Sequence, residues 1–173
     1  SGLQSTVDLH IKMGNFHPKY VDIRSHDIDS IFGNFKPDVV FHLAAIPGVA
    51  PSVIDPVASN DVNIGGTVNL LNASRKHSVE RFVFSSSSSV YGGAEVLPTT
   101  ESTQLNPKSP YAMQKKVGEE YCRLFSSIYN LDTACLRYFN VFGPRQRADS
   151  AYAAVISAFC NSVKIKARPI IYG

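Results

Sequence analysis

The stretch RFVFSSSSSVYGG, residues 81–93, and the run SPYAMQKKVGEE, residues 109–120, that follows it across a polar loop decide how the chain is read. Phe82, Val83 and Phe84 form a short apolar run of the buried-strand kind, and they deliver Ser85 to Ser89 to that strand's carboxyl end. Open α/β sheets bind ligands at the carboxyl ends of their strands. Ser109-Pro110 opens a helix, proline being acceptable in a first turn, and Tyr111 and Lys115 then lie one turn apart on one face. Alone, each piece is weak. The chain has eight tyrosines, so one Tyr-x-x-x-Lys is about as expected by chance as not, and a serine run is ordinarily a solvated linker. What gives them meaning is the sheet that the rest of the chain builds.

Outward from this stretch, strands alternate with helices. Residues 1–16 have no clean period and read as a loop with a short helix. Tyr20-Val21-Asp22-Ile23 reads as a short strand, with Ser25 or Asp27 capping a helix that carries Ile28, Ile31 and Phe32. Val39 to Leu43 is continuous and apolar, as a strand covered on both faces should be, and runs into Ala44-Ala45 and the turn-rich Ile46-Pro47-Gly48. Residues 56–76 are helical in pattern, with Ile64, Val68 and Leu71 on one face. Gly65-Gly66 inside that helix costs roughly 1 kcal/mol per glycine relative to alanine, so a close backbone approach should compensate. Residues 110–128 place Val117, Tyr121, Leu124 and Ile128 at helical spacing. Thr133 to Phe139 reads as a strand ending in Asn140 and the turn Gly143-Pro144-Arg145; Val155, Ile156, Phe159 and Val163 mark another helix, and Pro169 to Gly173 a last strand. This alternation implies right-handed parallel crossovers and an α/β doubly wound parallel sheet, Rossmann-like.

Composition sets the frame. With 173 residues, 44% hydrophobic and 18% charged, the chain is long enough for one core. A net charge of +3 is too small and scattered for a nucleic-acid partner. Cys122, Cys135 and Cys160 follow no metal or disulfide spacing, which points to buried thiols in a reducing, cytoplasmic setting and to no metal site. No signal peptide or membrane span is evident.

The chemistry follows from the residue types. An unperturbed tyrosine has a pKa near 10; a neighbouring ammonium, and a positively charged nicotinamide ring if bound, would favour the phenolate and make Tyr111 a usable base. A serine hydroxyl beside it can relay the proton. Such a set suits alcohol-to-ketone oxidation, and since no side chain accepts hydride, it requires a cofactor.

The runs VDIRS, DVVFHLAA, FVFSSSSSVYGG, SPYAMQKK and LRYFNVFGPRQ, in this order and spacing, resemble the extended short-chain dehydrogenase/reductases of the NAD-dependent epimerase/dehydratase family, and most of all the UDP-glucose and UDP-N-acetylglucosamine 4-epimerases. The resemblance implies Ser87, Tyr111 and Lys115 as catalytic residues. It implies an NAD site formed by Asp22, Ile23, Leu43, Ala44, Ala45, Asn63, Tyr111, Lys115 and Tyr138. A UDP-sugar would meet Ser87, Ser88, Ser89, Tyr111 and Asn140, with Ala154 and Val155 near the uracil. The helices at 56–76 and 110–128 match the pair through which the family dimerises, so a homodimer is expected.

Two departures matter. The family opens with a strand, a Gly-x-x-Gly-x-x-Gly turn and a helix that holds the pyrophosphate, and it continues into a C-terminal substrate region; this chain has neither pattern. It is therefore read as an internal fragment, lacking the first βαβ unit and the C-terminal region, that on its own binds NAD weakly or not at all and is inactive. Second, family dehydratases carry acids at the positions of Ser88 and Ser89. Without an acid to protonate a leaving hydroxyl, dehydration is disfavoured. The alternatives are a UDP-glucuronate 4-epimerase, a dehydratase, or a non-catalytic nucleotide-binding chain.

Overall fold

Three parallel strands, β1 (Val39–His42), β2 (Arg81–Ser87) and β3 (Asp132–Tyr138), form one sheet in the order β1-β2-β3. Val39 pairs with Arg81 at one end of the first ladder, and Ser87 with Tyr138 at the far end of the second. The computed structural model describes residues 7–8, 10–14, 16–93, 97–143 and 155–169. The chain divides into two compact units, Val21–Phe139 and a second made of Ser1–Tyr20 with Asn140–Gly173.

In the first unit, α1 (Asp27–Phe35) precedes β1. The crossover to β2 runs through α2 (Val49–Ile54), α3 (Pro56–Asn60), a π turn (Asp61–Gly66) and α4 (Thr67–Lys76). A single helix, α5 (Pro110–Tyr129), leads to β3. Successive strand residues point to opposite faces, and one face of β2 drives the packing. Phe82 and Phe84 are fully buried there with Ile28 and Phe32 of α1, Leu70 and Leu71 of α4, and Cys122 and Phe125 of α5. In the second unit α6 (Val155–Lys164) has an amphipathic pattern and buries no residue fully.

The α/β Rossmann-like sheet agrees with the sequence reading, and several details correct it. Helices α4 and α5 pack on one face of the sheet. On the other face Phe41 is 68% exposed, whereas its neighbour His42 is 3% exposed, so the apolar run at 39–43 is covered on one side among the described residues. Tyr20–Ile23 is not a strand. It has no ladder partner among the described residues, and the chain turns where the Ser25 N–H bonds the Asp22 carbonyl at 2.9 Å, while Val21 and Ile23 pack against the core as isolated side chains. Helix α2, which follows the turn-rich Ile46-Pro47-Gly48, has no counterpart in the sequence reading. Of the three cysteines only Cys122 is buried. Pro144, Arg145 and residues 170–173 of the last expected strand lie outside the described residues.

The glycine pair is resolved by its neighbours. A Cβ on Gly66 would lie 2.4 Å from Ile23 Cδ1, so this glycine admits the Ile23 side chain; one on Gly65 would meet only Asp61 Oδ1 at 3.4 Å. Helix α5 is also turned from the expected face. Ala112, Gly118, Glu119 and Cys122 face inward, whereas Leu124 and Ile128 are 48% and 59% exposed. Gly118 sets this orientation, since a Cβ there would lie 2.4 Å from the Phe84 ring.

Candidate active site

β2 ends at Ser87, whose hydroxyl accepts the Ser89 N–H at 3.2 Å and starts a 3-10 turn, Ser88–Tyr91. The turn closes at Gly92 in the left-handed region, φ 69°. A Cβ on Gly92 would lie within bonding distance of the Asn106 carbonyl, so glycine is required for that loop to seat. Opposite, the Ser109 hydroxyl caps α5 by accepting the Ala112 N–H at 3.1 Å. The Tyr111 N–H donates to the buried Ser52 hydroxyl at 3.0 Å. Helix α2 therefore fixes the first turn of α5.

Lys115 reaches across to β2. Its Nζ donates to the Ser85 carbonyl at 2.7 Å, sits 4.9 Å from the Phe84 ring centroid and 5.8 Å from that of Tyr111. Burial lowers its pKa to about 8, which leaves it an ammonium at neutral pH. Tyr111 behaves differently from the sequence expectation. Burial pushes its phenol above the ordinary value, and a hydrogen bond with the Ser87 hydroxyl opposes that rise. Desolvation of the phenolate is the larger of the two effects, and a further positive charge in the site would oppose it.

His42, beside this pair, is a packed residue. The Thr67 hydroxyl donates to the Asn63 carbonyl at 2.6 Å, so the 2.8 Å contact between His42 Nε2 and Thr67 Oγ1 is donated by the imidazole; Nδ1 is buried without a partner. Burial, with Lys115 nearby, lowers the His42 pKa to about 4. The folded state thus favours the neutral ring, and stability present above pH 6.5 is lost as pH falls toward 4, by about 3 kcal/mol in full. Urea midpoints of the full-length protein should fall across that window, and His42→Gln, which keeps a donor for Thr67, should flatten the fall. An unchanged slope in the variant would contradict this.

Asn63, in the π turn, holds the loop after β1. Its Oδ1 accepts the Ile46 N–H at 2.8 Å, and its two amide hydrogens go to the Ile46 carbonyl at 3.0 Å and to Gln114 Oε1 at 2.8 Å. Gln114 in turn donates to the Ser59 hydroxyl at 2.9 Å. Any service of Asn63 to a cofactor runs through this loop.

Of the residues expected to line a dinucleotide, Leu43, Ala44 and Ala45 follow the carboxyl end of β1 and Tyr138 ends β3. Leu43, Ala44 and Tyr138 are exposed, Ala45 is half-buried, and Ile23 is held by Gly66. Asp22 is ionised, its pKa lowered to about 2 by Arg24, which bonds both its oxygens at 2.7–3.0 Å. The residue types present are compatible with a nicotinamide–ribose half: Leu43, Ala44 and Ala45 are small or apolar, and Lys115 directs one of its three ammonium donors at Ser85. At the adenine end Asp22 is committed to Arg24. Among the substrate candidates, Ser88 is half-buried in the 3-10 turn, and the Ser89 hydroxyl is buried without a partner. Asn140 and Val155 are exposed residues of the second unit, and Ala154 lies outside the described residues.

Sequence reasoning missed Glu119 and Arg137, which form a part-buried ion pair at 2.7 Å behind the serine turn. The signal was available in part: Tyr111, Lys115 and Glu119 recur every four residues along α5.

Fold and site together define a Rossmann-like α/β domain with serine and Tyr-x-x-x-Lys at the carboxyl edge of its sheet. The chain belongs to the NAD dependent epimerase/dehydratase family, whose family model matches residues 4–173. It is 42% identical over 165 residues to a putative UDP-glucose 4-epimerase of Methanocaldococcus jannaschii, covering 92% of this chain and 53% of that protein. Among solved structures, UDP-N-acetylglucosamine 4-epimerase from Methanobrevibacter ruminantium, in complex with UDP-N-acetylmuramic acid, superposes with a TM-score of 0.82 at 42% identity, over 88% of this chain and 49% of that one. UDP-glucose 4-epimerase of Thermus thermophilus, in complex with NAD, gives a TM-score of 0.78 at 37% identity, over 85% and 48%. The chain spans about half the length of the curated relatives it matches.

Proposed function

We propose that the full-length protein is an NAD-dependent 4-epimerase of a UDP-sugar, UDP-glucose/UDP-galactose or the N-acetylglucosamine/N-acetylgalactosamine pair. The observation that carries this reading is the convergence of Ser87, Tyr111 and Lys115 at the end of β2, with Ser88 and Ser89 beside them in place of acids. The same family of resemblances supports NAD as the cofactor, and when bound it would supply the hydride acceptor and donor for C4 that no side chain provides. Tyr111 takes the proton of the sugar 4-hydroxyl, directly or through Ser87, as C4 is oxidised. Ser87 then holds the oxygen of the 4-keto sugar, and Lys115 holds the nicotinamide ribose while favouring the phenolate. After the sugar turns its other face, Tyr111 returns the proton, and the configuration at C4 is inverted without net redox change. Leu43, Ala44, Ala45 and Tyr138 line the cofactor, with Asp22 and Ile23 at its adenine; Asn63 acts through the loop at Ile46. Asn140, Ala154 and Val155 remain proposed contacts of the nucleotide-sugar. Assay of the full-length protein on both sugar pairs tests the reading, and no interconversion of either would refute it.

No helix among the described residues is long and apolar enough to cross a membrane, in keeping with a cytoplasmic enzyme. The outer stripe of α5, with exposed Met113, Leu124 and Ile128, supports a homodimer through residues 56–76 and 110–128. Leu124→Glu with Ile128→Glu should convert the full-length protein to monomer in sedimentation. A dimer that survives both charges would exclude this face.

A further inference from the structure

The ion pair of Glu119 and Arg137 has no part in the chemistry above, yet its carboxylate is buried and its guanidinium half-buried. Glu119 is 6% exposed. Arg137 Nη2 donates to its Oε2 at 2.7 Å, and Nε reaches Oε1 and Oε2 at 3.0 and 3.2 Å. Burying the Glu119 carboxylate carries a desolvation cost that a half-buried guanidinium offsets only in part, and an apolar pair of similar shape is often as stable, so stability alone is a weak account of the pair.

Its connections give a better one. The Ser86 hydroxyl donates to Glu119 Oε1, which fastens the residue preceding Ser87. Arg137 Nη1 donates to the Tyr91 hydroxyl at 3.0 Å and to the Glu101 carbonyl at 3.1 Å, and the guanidinium lies 5.1 Å from the Tyr91 ring centroid. Ser86 and Tyr91 bound the segment that carries Ser87, Ser88 and Ser89. Glu119 stands on α5 one turn beyond Lys115 and two beyond Tyr111. Both ends of the serine turn are thereby fastened through one carboxylate and one guanidinium to the helix that carries the other two site residues.

We infer that Glu119 and Arg137 are positioning residues that set the separation between the Ser87 hydroxyl and the Tyr111 phenol. The inference rests on the epimerase reading of the site. A hydrogen bond from Ser87 favours the phenolate, so slippage of the turn weakens the base as well as its aim.

The test uses the full-length protein loaded with NAD. Glu119→Gln should lower kcat about 30-fold with KM within about twofold, and move the acid limb of the kcat profile upward by about half to one pH unit. Tyr91→Phe removes only the hydroxyl that Arg137 holds. It should fold normally and show the same split and the same direction of limb shift, with kcat reduced about 3- to 10-fold. A pair with a merely structural role would lower the melting temperature and leave the limb in place. If Glu119→Gln does not fold, Tyr91→Phe decides: an unmoved limb, or a change in KM alone, overturns the inference. Should the wild type turn over neither sugar, the functional reading fails on its own. Ultraviolet difference titration of each variant against its Tyr111→Phe counterpart then decides the positioning role, and an unshifted phenolate overturns it.

Discussion

Replacing Tyr111 with phenylalanine is expected to reduce epimerisation by the full-length protein about a thousandfold, near 4 kcal/mol of transition-state stabilisation. The substitution removes one oxygen from a half-buried ring on the first turn of α5, and that turn is held by backbone atoms, the Tyr111 N–H on Ser52 and the Ala112 N–H on Ser109. Fold and NAD content should therefore persist, and the loss should fall on kcat. The pH profile adds a signature. Because burial raises the phenol, the wild-type rate should decline as pH falls and the base is protonated, and that limb should vanish in the variant. A variant that retains a tenth of the rate, or keeps the limb, would remove Tyr111 from the mechanism.

The second large effect concerns packing. Glycine to alanine in a helix gains about 1 kcal/mol of propensity, but a Cβ on Gly118 would lie 2.4 and 2.8 Å from two atoms of the buried Phe84 ring. Overpacking costs about 1–3 kcal/mol for small additions and more for large ones, so the clash outweighs the propensity. Gly118→Val adds two further methyl groups and a β-branch. It should cost about 3 kcal/mol or more and lower the melting temperature of the full-length protein by about 10 °C. Gly65→Ala is the contrasting case, since its Cβ would meet one carboxylate oxygen at ordinary contact distance; stability there should hold or rise by up to about 1 kcal/mol. Equal melting temperatures for Gly118→Val and the wild type would show that the helix can ride up from the sheet.

How much of this was legible in the sequence depends on the range of the signal. The three paired strands were visible as apolar runs because strand burial is written into adjacent residues, and the helix start at Ser109-Pro110 was equally local. A serine cluster at a strand end and the one-turn spacing of Tyr111 and Lys115 are short-range features and could be read locally, whereas Ser87 is singled out only by the family resemblance. The inward face of α5 was misread. Val117, Tyr121, Leu124 and Ile128 have the better apolar spacing, yet the helix buries its small and polar side because Gly118 fits under Phe84, a fact about two residues 34 apart in the chain. The segment at 20–23 looked like a strand by composition, but a ladder needs a neighbour. The Glu119–Arg137 pair was hidden for a related reason, since the four-residue spacing puts Glu119 on the face of Tyr111 and Lys115 but does not say that it is buried or that Arg137 meets it. The raised phenol of Tyr111 was missed because burial is a property of the folded surroundings.

Ser52 also ties two functions that the chain keeps far apart in sequence. Helix α2 follows directly from the Ala44–Gly48 loop, and Asn63 grips that loop at Ile46 while gripping Gln114, the residue before Lys115. The loop after β1 and the first turns of the helix that carries Tyr111 and Lys115 are thus joined at two points, Ser52 and Asn63. A substitution in the loop at Ile46 should therefore be felt in the seating of Tyr111 as well as in the loop itself.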